Sequence, residues 1–310
     1  MANHDTLPIG ISMVIPIYNT GPALDENLSA IEAQPFVHDH EVILVDDGST
    51  DELTLEIIED AKRKYSHIGH IAIEGNSGVQ IARSTGVRTA KYKYVQTIDG
   101  DDKLNTSAAV LENGTFADIA IAAMESDGDI AFVHPFSAMF GDYEGPTITS
   151  YPISGEQVLE KHHMYTSIVY RKEDGVDSGL YHPAIKKWQD WSFAIALLNT
   201  RLKNNEPLRI ACADDFYHMY RVHAAVGRIS AQEVSELDMV RTTINLYPDI
   251  FGHHYPDIER TALPQVVLGH KPDRLIELLH VANHNLALAQ RIKEDRRFVA
   301  MYDPDGINVP

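Results

Sequence analysis

Short apolar runs recur along the first hundred residues, and each of them is followed by polar positions. They are ISMVIPIY at 11–18, EVILVD at 41–46, HIAIE at 70–74 and YKYVQTI at 92–98. Runs of this length and character are typical of strands that are buried on both faces, as in a parallel sheet. The pattern therefore predicts four sheet strands in this part of the chain.

Segments with helical spacing separate these runs. Their apolar positions are Leu24, Leu28 and Ile31 in the first segment and Leu53, Ile57 and Ala61 in the second, while the third spans 78–90. Ala82 and Gly86 in the third segment are small enough to let a helix pack close to the sheet. Because strands alternate with helices, the pattern predicts βαβ units and a mostly parallel, Rossmann-like α/β sheet flanked by helices.

The pattern changes after residue 100. Strand-like stretches at 130–136 and 167–171 and a helix at 188–199 predict an α+β elaboration. From about residue 231, helical patterns dominate at 234–246 and 274–302. We therefore predict an α/β domain over 1–230 and a helical C-terminal region over 231–310.

Composition and charge narrow the classes of partner. The 310 residues are 44% hydrophobic and 23% charged, and the net charge of -19 disfavours nucleic acid, which is bound mainly through Lys and Arg. The only cysteine cannot form an internal disulfide, and the first residues, MANHDTLPIG, lack a basic segment followed by an apolar run. These features predict a cytoplasmic protein, and they are compatible with peripheral contact at the inner face of the membrane.

Two acidic runs follow predicted strands. VDDGSTD (45–51) follows the second strand and TIDGDD (97–102) the fourth. Because the carboxyl ends of parallel strands share one sheet edge, these carboxylates should repel one another unless a cation or hydrogen-bond donors compensate them. Carboxylate oxygens suit Mg²⁺ or Mn²⁺ together with a diphosphate. For VDDGSTD, a helix start capped by Ser49, Thr50 or Asp51 is an equally good interpretation.

Four strings occur in the order of a known family: VIPIYN at 14–19, ILVDDGSTD at 43–51, NSGVQIARSTG at 76–86 and TIDGDD at 97–102. Together they resemble the nucleotide-binding motifs of family 2 glycosyltransferases with the GT-A fold. With later matches, the resemblance covers about residues 10 to 230. It implies a glycosyltransferase that uses a nucleotide-sugar donor, with UDP-sugars favoured.

The resemblance also implies roles for single residues. Asp47 would contact the uracil or ribose, and Arg83 would lie near the base of the nucleotide. Asp99 and Asp101 would be the acids of a DxD motif that binds Mn²⁺ or Mg²⁺, and His223 would close the metal site. The whole nucleotide-binding set would be Pro16, Tyr18, Asn19, Asp47, Asn76, Gly78, Arg83, Asp99, Gly100 and Asp101.

A catalytic base is implied by WQDW at 188–191, which is similar to the family's ED motif with Gln189 in place of Glu. Asp190 falls on the base position, although an acid here also suits the first turn of a helix. An inverting transfer to a hydroxyl of a glycan, lipid-linked or protein-linked acceptor would follow. The C-terminal helices could hold the acceptor or a second subunit.

Two other functions are compatible with parts of this pattern. A nucleotidyltransferase also combines a Rossmann-like sheet with metal-binding acids, but it usually has a basic, Gly-rich loop after the first strand, where this chain has PIYNTGP. A non-catalytic sugar-nucleotide-binding protein would keep the fold and lose the chemistry. The joint presence of Asp99, Asp101, Asp190 and His223 favours the transferase.

Overall fold

The computed structural model describes residues 7–141, 145–146, 154–159, 167–222, 234–269, 286, 287 and 290. Within these residues, nine strands form one sheet in the order β3-β2-β1-β4-β8-β6-β9-β5, and β7 pairs with β6. The first four strands are β1 (Ile11–Ile17), β2 (His40–Asp46), β3 (Ile68–Ala72) and β4 (Tyr94–Thr97). They pair in parallel, with β2 and β4 on either side of β1, so the predicted α/β sheet is confirmed.

Three crossover helices connect these strands: α1 (Pro22–Glu32), α2 (Glu52–Lys64) and α3 (Val79–Thr89). On α3, a Cβ atom built on Gly86 would lie 2.4 Å from Val14 Cγ1, so only glycine lets the helix pack this close to β1. The predicted role of Gly86 in close packing is confirmed.

The predicted apolar stripe of α2 is right at Ala61, but its first two positions, Leu53 and Ile57, lie one residue before the buried ones. Leu53 is 44% exposed, whereas Thr54, Ile58 and Ala61 are buried. The reason lies at the start of the helix, where the Thr54 hydroxyl donates to Asp51 Oδ2 and accepts from the backbone N–H of Gly21. A polar residue thus takes a core-facing position because two local partners satisfy its hydroxyl.

The second part of the sheet is mixed. Its elements are β5 (Lys103–Leu104), α4 (Ala108–Leu111), α5 (Phe116–Ser126), β6 (Ile130–Gly141), β7 (Gly145–Pro146), a 3-10 turn (Glu156–Leu159), β8 (Val169–Arg171), α6 (Lys172–Asp177), α7 (Gln189–Lys203) and β9 (Arg209–Val222). Strand β8 joins the two parts, pairing antiparallel with both β4 and β6. The 14-residue β9 and helix α5 were not predicted from the sequence.

Between residues 234 and 269 the structure describes three helices: α8 (Glu236–Leu246), α9 (Pro248–His254) and α10 (Leu263–Gly269). Their apolar residues, among them Ile244, Phe251 and Val267, belong to the same buried cluster as α3 and α7. Most of the predicted helix at 274–302 lies outside the described residues, and the domain boundary near 230 stays a prediction. No helix in the described part of the chain combines the length and apolar character needed to cross a membrane.

Candidate active site

The loops that follow β1 and β2 are joined by Asn19. Its side-chain oxygen accepts from the backbone N–H groups of Thr50 (2.7 Å) and Asp51 (2.9 Å). The backbone N–H of Asn19 donates to Ser49 Oγ. The residue has a positive φ of 49°, a conformation that asparagine adopts more readily than most residues. The predicted nucleotide-site residue Asn19 therefore also sets the shape of this edge of the sheet.

The acids of the first run are held by backbone donors. Asp46 Oδ1 accepts from Ser49 N at 2.8 Å, and Asp51 Oδ2 caps helix α2 through Thr54 N at 2.8 Å. Asp47 reaches further along the chain: its oxygens accept from Ser77 N (2.8 Å) and Gly78 N (2.7 Å), at the start of α3. The capping interpretation of Asp51 is confirmed, and Asp47 connects two of the predicted nucleotide-binding segments.

The acidic loop after β4 forms a tight turn. Asp102 N donates to Asp99 O at 3.0 Å, and Asn27 Nδ2 on α1 donates to the carbonyl oxygens of both Asp99 and Asp102. Gly100 lies against β1, where an added Cβ would be 3.0 Å from Pro16 O. Two predicted site residues, Gly100 of the loop and Pro16 of β1, are thus packed against each other.

Arg83 joins two of the acids that the sequence assigned to different tasks. Its Nη2 lies 2.5 Å from Asp99 Oδ1, and its Nη1 lies 3.2 Å from Asp190 Oδ1. Burial alone would lower the pKa of this guanidinium, but the two carboxylates raise it above its ordinary value. The side chain is 3% exposed and lies over the Tyr181 ring, so its charge and orientation are fixed.

Asp190 occupies the first turn of α7, as predicted. Trp188, directly before the helix, has left-handed dihedrals (φ 61°, ψ 41°), which cost an aromatic residue roughly 1–2 kcal/mol. The ring of Trp188 packs edge-on against Trp191, whose Nε1 donates to Val158 O at 2.6 Å. This packing supports a strained turn that brings Asp190 beside Arg83.

The third acid of the loop, Asp102, is buried, unlike Asp99 and Asp101. It is 1% exposed, and its Oδ1 accepts from the backbone N–H of Arg221 at 2.8 Å. The guanidinium of Arg221 is engaged as well, with Asp101 O at 2.6 Å and Glu26 Oε2 at 2.8 Å, over the ring of Phe140. The Asp102 carboxylate is therefore enclosed within the protein.

A metal ion would find hard oxygen ligands at Asp99 and Asp101. In the described part of the chain, no group of three His, Cys, Asp or Glu side chains is arranged to hold an ion. However, an ion that arrives with a diphosphate needs only one or two carboxylates, because phosphate oxygens and water complete its coordination. The residues therefore fit Mg²⁺ or Mn²⁺ bound together with the nucleotide. His223 follows the last residue of β9 and lies outside the described residues.

The remaining predicted residues have separate positions. Tyr18 and Asn76 are exposed at the ends of their loops, and Gly78 has a φ of 100° at the start of α3. Two site residues were missed: Asn27 and Tyr181. Asn27 had a signal, since it interrupts the apolar stripe of α1 at a buried position. Tyr181 had none, because its partners are distant in sequence.

Comparisons with known proteins identify the first part of this site. The model of glycosyl transferase family 2 matches residues 12–110. Residues 12–110 belong to glycosyltransferase family 2. The matched segment contains β1 to β4 and the acidic loop, so the family resemblance is confirmed on the residues that carried it.

Curated relatives of this family 2 segment are themselves glycosyltransferases. The chain is 33% identical over 97 residues to the uncharacterized glycosyltransferase EpsJ of Bacillus subtilis, which covers 31% of this chain and 27% of that protein. It is 37% identical over 100 residues to the poly(ribitol-phosphate) beta-glucosyltransferase of Bacillus spizizenii, covering 32% and 16%. The matches thus span less than a third of these relatives' own lengths.

Solved structures agree over nearly the whole chain. Residues 1–349 of TarS of S. aureus, in complex with UDP-GlcNAc, have a TM-score of 0.62 at 20% identity, covering 94% of this chain and 79% of that fragment. The mannosyltransferase PcManGT of Pyrobaculum calidifontis, in complex with GDP-Man and Mn²⁺, has a TM-score of 0.53 at 15% identity, covering 96% and 82%. These similarities confirm the predicted GT-A fold.

Proposed function

We propose that this protein is an inverting glycosyltransferase that moves a sugar from a nucleotide-sugar donor to an acceptor hydroxyl. The observation that carries the proposal is the pair of contacts made by Arg83, 2.5 Å from Asp99 and 3.2 Å from Asp190. One buried cation thereby brings a donor-site acid and a candidate base to the same place. A protein that only bound nucleotide would have no need of the second acid.

The donor is a nucleoside diphosphate sugar, bound along the edge formed by the loops after β1, β2 and β4. Asp47 contacts the uracil or ribose, and Asp99 and Asp101 serve the ribose and diphosphate. UDP-sugars are favoured because TarS was solved with UDP-GlcNAc and with UDP. GDP-sugars belong in the same test, since PcManGT was solved with GDP-Man.

The transfer is a single displacement. The acceptor oxygen attacks the anomeric carbon while the bond from that carbon to the diphosphate oxygen breaks, and the bonding electrons leave with the nucleoside diphosphate. The acceptor proton passes to the Asp190 carboxylate. Because attack and departure occur on opposite faces, the anomeric configuration inverts. Arg83 keeps Asp190 charged and oriented toward the donor site.

Asp101 and Asp99, together with His223, would hold the Mg²⁺ or Mn²⁺ ion. When bound, the ion supplies positive charge that stabilises the departing diphosphate. The protein's own contribution is to fix these ligands: Asn27 and Arg221 hold the backbone of the acidic loop from two sides. This preorganisation lets the site accept the charged leaving group without rearrangement.

The remaining assignments concern the whole chain. Residues 1–230 form the catalytic domain, and the helices of 231–310 bind the acceptor or a second subunit. The acceptor is a glycan or a lipid-linked or protein-linked glycoconjugate. A cytoplasmic protein that visits the inner face of the membrane would meet such acceptors.

A donor screen tests the function. The protein is incubated with Mn²⁺ and, separately, UDP-glucose, UDP-galactose, UDP-GlcNAc and GDP-mannose, with glycan acceptors and without them. We expect release of the nucleoside diphosphate from one donor and its acceleration by an acceptor. Release of pyrophosphate from a nucleoside triphosphate would instead support a nucleotidyltransferase. Metal-dependent UDP binding without turnover on any pair would support a binding protein.

The Asp190→Asn variant tests the base. Since a general base contributes about 10²–10⁴ in rate, we expect a loss of that size in transfer with UDP affinity retained. Asp249→Asn is the control: this acid is 55% exposed and pairs with Lys203 on the outer surface of α7 and α9. Equal transfer rates in Asp190→Asn and the parent would remove Asp190 from the mechanism.

A further inference from the structure

Asp102 is buried although it is adjacent to an acid of the open site. It is 1% exposed, while the side chain of Asp99 in the same loop is 27% exposed. Burial raises the pKa of the Asp102 carboxyl above its ordinary value, and His218 opposes that effect. A buried acid is costly unless its oxygens have partners, so what holds Asp102 also determines where the loop lies.

Strand β9 supplies those partners. Asp102 Oδ1 accepts from Arg221 N at 2.8 Å, and Oδ2 lies 3.1 Å from His218 Nε2, which is an ion-pair distance without the alignment of a hydrogen bond. The other ring nitrogen of His218, Nδ1, lies 2.9 Å from Ser137 Oγ on β6. A buried series of side-chain contacts therefore connects Asp102 of the acidic loop, through the His218 imidazole, to Ser137 on β6.

The backbone of His218 is fixed as firmly as its ring. In the sheet register it pairs with Leu104 of β5 on one side and with Ser137 of β6 on the other. The imidazole is 0% exposed, so it has little freedom to rotate. His218 is therefore a rigid reference point against which Asp102 is placed.

The position of Asp102 is transmitted directly to Asp101. The two residues are consecutive, and the turn that contains them is closed by the bond from Asp102 N to Asp99 O. Without His218, the Asp102 carboxylate would keep only its bond from Arg221 N, and we expect the loop to shift toward another partner for Oδ2 and Asp101 to move with it. Partners of this kind typically change ligand affinity by about 10- to 100-fold when they are removed.

We propose that His218 is a positioning residue: through Asp102, it sets the acidic loop in the geometry that binds the metal-bound diphosphate of the donor. The inference rests on the proposed function, because it assigns Asp101 to that diphosphate. His218 does not touch the nucleotide or the ion. It acts by holding the one acid of the loop that faces inward.

The test compares His218→Leu with His218→Gln. Leucine fills the space without a polar atom, whereas glutamine can place an N–H donor near the position of Nε2. Titration calorimetry with UDP, in the presence and absence of Mn²⁺, should show about 10- to 100-fold weaker Mn²⁺-dependent binding for His218→Leu and a partial recovery for His218→Gln. UDP binding without Mn²⁺ should change much less in either variant.

His134→Leu is a matched control. This histidine is also buried, at 1% exposure, and lies on β6 three residues before Ser137, away from the acidic loop. We expect it to lower the melting temperature while Mn²⁺-dependent UDP affinity stays near that of the parent. An equal loss of affinity in His134→Leu and His218→Leu would mean that His218 affects affinity only as a packed core residue, and would overturn the inference.

Ser137→Ala covers the case in which His218→Leu does not fold. It removes the second contact of the imidazole without touching the loop, and we expect a smaller loss of Mn²⁺-dependent affinity. Parent-like affinity in Ser137→Ala and in every folded His218 variant would overturn the inference alone. A parent protein that binds no nucleotide would overturn the proposed function, and the inference with it.

Discussion

Two acidic runs leave the sheet on either side of β1, and they are stabilised in different ways. In the first run (45–51), the carboxylates accept hydrogen bonds from backbone N–H groups: Asp46 from Ser49, Asp51 from Thr54, and Asp47 from two residues at the start of α3. In the second run (97–102), Asp99 is paired with a guanidinium and Asp102 is enclosed by β9.

The difference shows which of the two runs needs a cation. In the first run, Asp47 accepts two backbone N–H bonds and Asp46 and Asp51 accept one each, so backbone donors offset the repulsion between these carboxylates. The second run has fewer backbone donors and relies on Arg83, whose single charge is shared by Asp99 and Asp190. Similar sequences at one sheet edge are thus held by backbone donors in one case and by a buried guanidinium and strand β9 in the other.

Removing Arg83 should give the largest effect. In Arg83→Met, the carboxylates of Asp99 and Asp190 lose their common cation, and we expect the free energy of unfolding to fall by about 3–5 kcal/mol, as for other broken buried ion pairs. Transfer should fall with it because both acids lose their orientation. Urea unfolding and release of nucleoside diphosphate measure the two effects.

Two variants control for this change. Arg83→Lys keeps a charge but cannot reach two carboxylates with a planar fork, so it should recover stability more than transfer. Arg201→Met removes another buried arginine, which bonds to Pro207 O and Glu206, and should cost stability without affecting UDP affinity. Full transfer activity in folded Arg83→Met would show that the bridge is not required.

Asp101→Asn should come next. Because Asp101 is assigned to the metal-bound diphosphate, we expect Mn²⁺-dependent UDP affinity to fall by at least the ~10- to 100-fold typical of residues that only support a ligand. The free energy of unfolding should change by no more than about 0.5 kcal/mol, since the residue is partly exposed. Calorimetry with Mn²⁺ and with EDTA measures the difference. A loss of equal size under both conditions would contradict the metal assignment.

The sequence predicted the parts of the fold whose patterns are local. The strands β1 to β4 were found because buried parallel strands are continuous apolar runs. Strand β9 was missed because Asp214 and Asp215 interrupt it and its pairing with β6 shifts register. The helix α2 was found with Ala61 correctly on its buried face, but the first two buried positions were placed one residue too early, since Thr54 does not look like a core residue.

The same distinction applies to the site. The Asp51 cap spans three residues and could be read from the sequence, as could the acid in the first turn of α7. The contact of Arg83 with Asp190 spans 107 residues, and no pattern along the chain indicates it. The family resemblance named both residues but assigned Arg83 to the base of the nucleotide, so their pairing had to come from the structure.

Asp47→Asn separates scaffold from ligand contact within the first run. Asparagine has one acceptor oxygen, so either Ser77 N or Gly78 N would face an amide N–H, at a cost of about 1–3 kcal/mol in unfolding free energy. If Asp47 also contacts the uracil or ribose, UDP affinity should fall to the same extent with Mn²⁺ and without it. This pattern is opposite to that of Asp101→Asn. Loss confined to the Mn²⁺ condition would contradict the division between the two runs.

Asp51→Ala should have the smallest effect and the most purely structural one. The loss of an N-cap costs about 1 kcal/mol, which lowers the melting temperature of a domain this large by about 2 °C. UDP affinity should be unchanged, because the Asp51 contact that shapes the nucleotide edge is its backbone N–H bond to Asn19, which alanine keeps. Asp51→Ser, which retains a capping oxygen, should restore most of the melting temperature. A clear loss of UDP affinity in Asp51→Ala would mean that the first run binds the donor through more than Asp47.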